Sequence, residues 1–456
     1  MSTALPATLI DAVAAIAAGR LSASELAEEE LARIARTDGA VEAWESLDPA
    51  HVRREAARCD RDAATGPLAG IGIGVKDIID TRDLDTTMGS PIYAGHRPTA
   101  DAPCVARLRA AGAYVFGKTV TTPFAFMDPG KTRNPWHREH SPGGSSSGSA
   151  AAVGANMVPM AIGTQVGGSI IRPAAYCGNF ALKPTQGGIN RGERLATSQS
   201  THGPHAGCLE DMWHCAIEMA KRCGGDRGAL GLMGPDSLPT STKPDRLIVL
   251  ETEGWPDLDA ATKTGFAQLL RALEAAGVNL IRRADHPFVE ALERAIASGR
   301  AVCNGITSWE NRWYQRGMLD AAPDGLSARA KASLLKAEAM TPDDYRTNLL
   351  ARQQAQLAHA AVASLADAAI TLACPGPAPL WSGDMPGQPL APRPTGDFVF
   401  NAPSSMLFAP VVTMPLMSVG GLPVGVQIMG QQHEDARMTG LARWISETIQ
   451  RIATAA

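Results

Sequence analysis

The residue types best suited to chemistry in this chain are one lysine and two serines. Lys76 ends an apolar, glycine-containing stretch over residues 68–75, Ser145 lies in a double-glycine turn, and Ser169 directly follows two further glycines. Burial can lower the pKa of a lysine by about 3–5 units, so a buried neutral amine can act as a base near pH 7. The pattern predicts a nucleophilic site in which Ser169 is the nucleophile and Lys76, beside two serines, can act as the base.

The segment that has to position these groups is residues 141–182. It carries a single charged residue, Arg172, which predicts that it is buried. Two Gly-Ser clusters, at 143–149 and 167–169, are joined by a predicted helix and a predicted strand over 160–164, which return the chain to the same edge of a sheet. The glycines before Ser169 allow main-chain amides to turn inward, as an oxyanion site requires.

Composition excludes several classes of partner. The chain has 456 residues and a net charge of -4, without a block of like charge, so we expect neither nucleic acid nor an anionic membrane as a partner. The eight cysteines are scattered and form no C-x-x-C pair, which favours reduced thiols in the cytoplasm. No apolar run is long enough to predict a membrane span, and Asp11 interrupts the apolar start, which we interpret as an ordinary helix.

Hydrophobic periodicity predicts an α/β fold. Strands at 247–250 and 278–281 enclose a helix centred on 266–273, and such a βαβ unit implies a parallel sheet with helices on its faces. We expect one domain, 1–456, built from three parts. These are a catalytic core at about 65–220, a helical substrate side at about 287–365, and a Pro-rich loop at 375–394 containing Trp381 and Met385.

Two shorter motifs offer competing hypotheses. Residues 112–119 match the phosphate-binding pattern G-x-x-x-x-G-K-[ST], but they are strand-like and Pro123 follows where a helix should run. A buried strand ending in a turn is the favoured interpretation. Residues 144–148 match the G-x-S-x-G elbow around Ser146, yet a polar loop precedes them instead of the apolar strand that an elbow needs.

The histidines suggest no metal site. They lack the H-E-x-x-H geometry, and no acidic ligand stands at a telling spacing. We interpret them as loop and surface residues. The residues in question are His137, His140, His202, His205 and His214.

Six short motifs of the chain occur in a characteristic order and spacing. They are Gly74-Val-Lys76-Asp77, Gly117-Lys-Thr119, Thr132-Arg-Asn-Pro135, Pro142-Gly-Gly-Ser-Ser-Ser-Gly-Ser149, Gly163-Thr-Gln-Val-Gly-Gly-Ser169 and Leu182-Lys-Pro-Thr185. In these motifs the chain resembles the amidase signature family, strongly from Pro67 to about Asp211 and more weakly over 421–430. The middle of the chain, roughly 225–370, is little constrained by the resemblance.

The resemblance implies a large, mixed, mostly parallel central sheet flanked by helices on both faces. It also implies that Ser169 is the nucleophile and that Ser145, preceded by a cis peptide bond, relays the proton to Lys76. The amides of Val166, Gly167, Gly168 and Ser169 would hold the oxyanion. No metal and no cofactor is implied.

Departures from the family pattern concern the substrate contacts. Gln165 stands where many members have Asp, and Arg172 follows the nucleophile by three residues. This S-x-I-R-P arrangement is similar to malonamidase-type members, where the arginine is linked to a substrate carboxylate. We therefore hypothesise that Arg172 faces an anionic group, the alternative being a structural pair with Asp77 or Asp80. Gly144 and Met127 complete the predicted substrate contacts.

An acid often found in the family is replaced by Pro123, so its neighbours could line an acyl pocket, although core packing is the favoured account of Phe124, Phe126 and Met127. We predict an amidohydrolase that cleaves the C–N bond of a small carboxamide through an acyl-enzyme. The alternatives are a glutaminase-type member of an amidotransferase complex and, from another class, a nucleotide-binding protein built on residues 112–119. A homodimer is suggested only by analogy.

Overall fold

The computed structural model describes residues 8–192, 197–221, 223–382 and 392–455. Its strands are β1 (Trp44–Ser46), β2 (Gly72–Lys76), β3 (Tyr114–Thr119), β4 (Met160–Gln165), β5 (Phe180–Lys183), β6 (Thr201–Ala206), β7 (Arg246–Val249), β8 (Asn279–Ile281), β9 (Ala368–Leu372), β10 (Val411–Val419), β11 (Leu422–Met429) and β12 (Ile452–Thr454). Its α-helices are α1 (Leu9–Ala17), α2 (Ala23–Val41), α3 (Pro49–Arg61), α4 (Pro103–Ala110), α5 (Ser147–Gly154), α6 (Ile171–Cys177), α7 (Leu209–Ala220), α8 (Ala260–Ala275), α9 (Pro287–Ile296), α10 (Gly299–Ala321), α11 (Ala328–Glu338), α12 (Pro342–Ala361), α13 (Ala402–Met406) and α14 (Asp435–Thr448).

The strands form one mixed sheet of 12 strands in the order β1-β3-β2-β4-β6-β5-β10-β11-β9-β7-β8, with β12 beside β10. Parallel pairing joins β3, β2 and β4 into one block and β9, β7 and β8 into another, and β12 runs parallel to β10. The remaining ladders of the described strands are antiparallel. The predicted α/β fold with a mixed sheet is confirmed.

Helices cover both faces of this sheet, and β3 shows how. Successive side chains of a strand point to opposite faces. Tyr114 and Phe116 pack into one apolar cluster with residues of α2, α3 and α5, whereas Val115 packs into the larger cluster that contains residues of α4 and α7. The alternation of buried side chains therefore places a layer of helices on each side.

Local signals located several elements correctly. The predicted βαβ unit is confirmed, since β7 and β8 pair in parallel on either side of α8. The predicted helical segment at 287–365 contains α9 to α12. The strand β6, which lies between β4 and β5 in the sheet, was not predicted. In the described ranges, no helix combines the length and the apolarity that crossing a bilayer requires.

The phosphate-binding alternative is wrong, because residues 114–119 are strand β3 instead of an open loop. The side chain of Lys118 is buried, and its Nζ donates to the carbonyl of Ile79 at 2.8 Å and to Thr86 Oγ1 at 2.6 Å. It also forms an ion pair with Asp77 at 3.5 Å. Lys118 thus links β3 to the loop that follows β2. Because it lies within a strand of the sheet, the surrounding backbone amides cannot form the open loop that binds a phosphate.

Candidate active site

Two neighbouring parallel strands place Lys76 beside Thr164. The strands β2 and β4 pair with Val75 opposite Ile162, so their carboxyl ends meet at one edge of the sheet. Lys76 is the last residue of β2, and Thr164 lies one residue before the end of β4. In open α/β sheets ligands bind outside this edge of the strands. The sheet topology therefore places the lysine where a site is expected.

The amine of Lys76 is fully buried and has two hydroxyl partners. Its Nζ lies 2.7 Å from Ser145 Oγ and 2.8 Å from Thr164 Oγ1. Burial, reinforced by the positive charge of Arg172, holds the pKa of Lys76 well below its ordinary value. Both causes disfavour the ammonium form. The environment thus favours the neutral form of the amine, which can accept a proton from a serine.

Ser145 is buried in the turn before α5, and the peptide bond between Gly144 and Ser145 is cis, as the family resemblance implied. The two following serines are occupied elsewhere. Ser146 Oγ donates to the carbonyl of Thr164 and accepts from the amide of the same residue, both at 3.2 Å. Ser147 Oγ donates to the carbonyl of Gly143 at 3.0 Å. Ser146 thus joins two segments of backbone, which argues against the elbow hypothesis.

Hydrogen bonds to the two carbonyl groups that precede Ser169 hold the main chain in place. The carbonyl of Gly167 accepts from Ser405 Oγ at 3.0 Å, and the carbonyl of Gly168 accepts from the amide of Arg172 at 2.9 Å. In a planar trans peptide the next N–H points away from the carbonyl. The amides of Gly168 and Ser169 therefore point away from these anchors, and within the described chain they donate to no acceptor.

Gln165 supports the same turn from the opposite side. Its Oε1 accepts from the amides of Ile170 and Ile171 at 2.9 and 3.0 Å, which binds the start of α6 to the end of β4. Its Nε2 lies 3.5 Å from both the Gly167 carbonyl and Ser405 Oγ. An aspartate could only accept hydrogen bonds, whereas this amide both accepts and donates.

Arg172 is buried and is held by main-chain oxygens. Its Nε donates to the Thr395 carbonyl at 2.9 Å, and Nη2 donates to the Gly144 carbonyl at 2.7 Å. Burial lowers its pKa to about 10. The alternative of a structural pair with Asp77 or Asp80 is wrong, since Asp77 pairs with Lys118 and, among the described residues, no carboxylate forms an ion pair with the guanidinium.

These groups surround a cavity of about 170 Å³. Ser145, Ser169 and Arg172 line it together with Val166, Gly167 and Gly168. An apolar cavity of about 150 Å³ is sufficient for benzene. The volume therefore suits a small acyl group, and Asn304, Thr307, Ser308, Asn311 and Gln315 of α10 supply its polar wall.

Only some of the residues predicted to contact substrate line this cavity. Met127, 38% exposed, lines it and belongs to no described apolar cluster, whereas Phe126 lines it and also packs against the apolar cluster that contains the buried Phe124, as predicted. Gly144 is not among the described lining residues, and its carbonyl accepts from Arg172. Trp381 also lies elsewhere, with Arg133 stacked 3.1 Å above its ring. Met385 lies outside the described residues.

The interpretation of the histidines as loop and surface residues is wrong for two of them. His202 and His205 lie on the buried strand β6, where burial lowers the pKa of each to about 3. Across the described ranges, no three His, Cys, Asp or Glu side chains come close enough to hold a metal ion.

Three residues at the site were missed at the sequence level. Thr164 contacts Lys76, Ser405 anchors Gly167, and Thr395 holds Arg172. Thr164 ends one predicted strand and Lys76 ends another. The contact between these two residues could therefore have been suggested from the sequence. Nothing local marks Ser405 or Thr395.

Comparison with known proteins identifies the family to which the chain belongs. The sequence pattern of the family described as Amidase matches residues 25–438, and the chain belongs to this family of amide-bond hydrolases. It is 33% identical to one component of the glutamyl-tRNA(Gln) amidotransferase of Symbiobacterium thermophilum, over 95% of each chain. The corresponding component of the Exiguobacterium sibiricum amidotransferase is 30% identical over 92% of each chain.

Solved structures show the same fold. A crystal structure of an amidase superposes with a TM-score of 0.84 and 26% identity, covering 97% of this chain and 100% of the other. The native peptide amidase from Stenotrophomonas maltophilia gives a TM-score of 0.77 and 26% identity, covering 98% and 97%. The 6-aminohexanoate cyclic dimer hydrolase, at 22% identity and a TM-score of 0.82, shows a similarity of fold alone.

Proposed function

We propose that this protein hydrolyses a small carboxamide, with Ser169 as nucleophile, Ser145 as proton relay and Lys76 as base. The observation that carries the proposal is the distance of 2.7 Å between Lys76 Nζ and Ser145 Oγ, because the amine is fully buried and its pKa is well below the ordinary value. Ser145 and Ser169 line the same cavity.

In the acylation step the lone pair of the neutral Lys76 amine accepts the proton of Ser145. Ser145 in turn accepts the proton of Ser169, whose oxygen attacks the amide carbonyl. The negative charge that develops on the carbonyl oxygen is met by the amides of Gly168 and Ser169, with those of Val166 and Gly167 beside them. Each such donor is worth on the order of 3 kcal/mol in comparable sites.

The relay then runs in reverse. The protonated Lys76 returns a proton through Ser145 to the leaving nitrogen, and the amine departs while Ser169 carries the acyl group. A water molecule then loses a proton to the same relay and attacks the ester, which releases the acid and restores the Ser169 hydroxyl. The base is needed in both half-reactions, which is why its pKa has to lie near the working pH.

A second candidate function is the hydrolysis of glutamine within an amidotransferase complex. The relatives at 33% and 30% identity, matched over more than nine tenths of the chain, are components of such an enzyme. Release of ammonia from glutamine at a rate above that from other small amides would favour this candidate. Turnover of a panel of aliphatic, aryl and half-acid amides in preference to glutamine would favour the free-standing amidase.

The decisive experiment compares Ser169→Ala with Ser146→Ala on the best amide of that panel. We expect the first variant to lose at least about 10³-fold in kcat. The second removes a hydroxyl that only bridges backbone groups, so we expect it to lose stability, by about 1–2 kcal/mol, and to retain most of its kcat. Equal losses of kcat in the two variants would refute the assignment of Ser169.

Rapid mixing adds an independent readout. A burst of released amine equal to the amount of enzyme, before the steady state, is the kinetic sign of an acyl-enzyme. Ser169→Ala should show no burst. A burst that persists in this variant but disappears in Ser146→Ala would transfer the role of nucleophile to the elbow serine.

A further inference from the structure

A second cavity of about 120 Å³ shares Ala125, Phe126, Val166 and Asn311 with the wall of the active-site cavity. We propose that it binds the amine substituent of the substrate, so that the protein prefers N-substituted carboxamides with a compact apolar group on nitrogen over primary carboxamides. This inference rests on the proposed function of Ser169 and names the substrate class for the same site.

The proton relay places the leaving nitrogen on the side of this second cavity. The nitrogen must receive the proton that Ser169 lost, and that proton passes through Ser145 to Lys76. The other partner of the Lys76 amine is Thr164, and Thr164 lies in the wall of the second cavity. Arg172 lines only the first cavity. The acyl group therefore occupies the first cavity while the amine substituent extends into the second.

The lining of the second cavity indicates what it can hold. Its apolar wall includes Ile78, Met88, Phe124 and Tyr314. Asp80 and Arg191 contribute one charge of each sign, and His202 is neutral because burial lowers its pKa to about 3. Since about 150 Å³ holds benzene, a cavity of about 120 Å³ suits a slightly smaller group such as a short branched alkyl chain.

The chemistry of the step is unchanged by the substituent. The bond from Ser169 Oγ to the carbonyl carbon forms as the C–N bond breaks, and the nitrogen leaves as R-NH₂ with the proton from Ser169. Water then supplies a hydroxyl to the acyl carbon and a proton to Ser169. The products are a carboxylic acid and a primary amine, and no oxidant or reductant is needed.

The test uses two amides of one acid, the primary amide and the N-isopropyl amide, with the acid chosen from the panel above. Ala102 lines the second cavity and not the first, so Ala102→Phe should fill it, with Ala102→Leu as a milder variant. Ser333 lines only the first cavity, and Ser333→Phe is the matched control. The measured quantity is the ratio of kcat/KM for the N-isopropyl amide to that for the primary amide.

We expect this ratio to be above one in the native protein. It should fall about tenfold or more in both Ala102 variants, because a pocket that no longer accommodates a small apolar group lowers kcat/KM for the substrate carrying it by about 10–200-fold. Ser333→Phe should lower kcat/KM for both amides by similar factors, so that their ratio stays within about twofold of the native value. A ratio below one, or one that does not change in folded Ala102 variants, overturns the inference while amide hydrolysis stands. Absence of turnover of every amide by the native protein would overturn the proposed function as well.

Discussion

Thr164 Oγ1 lies 2.8 Å from the amine of Lys76, which also contacts Ser145, its partner in the proposed relay. A neutral amine has two hydrogens and one lone pair. If one hydrogen is donated to Thr164, the lone pair remains available to the hydroxyl of Ser145. In the proposed mechanism Thr164 therefore orients the base, and it neither attacks the carbonyl nor carries the transferred proton.

This arrangement predicts the effect of Thr164→Val, which keeps the shape and removes the hydroxyl. We expect kcat to fall by about 10–100-fold with little change in KM, because the base is present but no longer oriented. Thr164→Ser should restore most of the loss. Steady-state kinetics of both variants, with melting curves to verify folding, provide the measurement. A Thr164→Val enzyme with native kcat would contradict the orienting role.

The charge of Arg172 should contribute to the pH dependence. Burial is the main cause of the lowered pKa of Lys76, and the positive charge of Arg172 lowers it further, so removing that charge raises the pKa and reduces the neutral fraction at a given pH. In Arg172→Gln we therefore expect the acidic limb of the kcat/KM profile to move to higher pH. Arg172→Lys should keep it nearer to the native position.

The control for this prediction is Arg138→Gln, which removes an exposed arginine outside the active-site cavity and should leave the limb in place. The same Arg172 variants test the substrate hypothesis, if their activity on neutral and half-acid amides is compared. Unchanged relative efficiency would rule out a contact between Arg172 and a substrate carboxylate. An acidic limb that stays fixed in Arg172→Gln would refute the electrostatic coupling.

The anchoring of the Gly167 carbonyl by Ser405 predicts a catalytic effect far from the nucleophile in sequence. In Ser405→Ala we expect kcat to fall about tenfold, because the Gly168 amide loses its fixed direction, and KM to change little. Ser404→Ala is the matched control, since this buried neighbour donates only to the Asn401 carbonyl. Equal values of kcat in the two variants would show that the anchor is dispensable.

Glu30 predicts how stability changes with pH. Burial raises the pKa of its carboxyl from 4.5 to about 8, so between these values the folded chain holds a proton that the unfolded chain has lost. Stability should therefore fall as the pH rises through this window, by at most about 1.4 kcal/mol per pH unit. Glu30→Gln should remove this part of the slope.

Urea unfolding at about pH 5 and about pH 8 measures the difference for the native chain, for Glu30→Gln and for Glu29→Gln, an exposed neighbour. The Glu29 variant should retain the native slope. If the slope of Glu30→Gln equals that of the native chain, the carboxyl is ionised in the folded state and its proposed protonation is wrong.

Local sequence signals were sufficient for elements whose side chains alternate or recur regularly. The apolar pattern around Phe266 located the crossover helix α8. They were insufficient for β6, whose residues Thr-His-Gly-Pro-His-Ala carry little strand propensity. That strand forms because its neighbours β4 and β5 supply hydrogen-bond partners on both sides.

The sequence by itself determined which residues could do the chemistry, because glycine-flanked serines and a lysine ending an apolar strand are local patterns that can be recognised without coordinates. The tertiary structure alone decided what surrounds them. Ser405 reaches Gly167 across 238 positions of chain, and Arg172 reaches Thr395 across 223. Such contacts depend on how distant strands are ordered in the sheet, and no local propensity encodes that order.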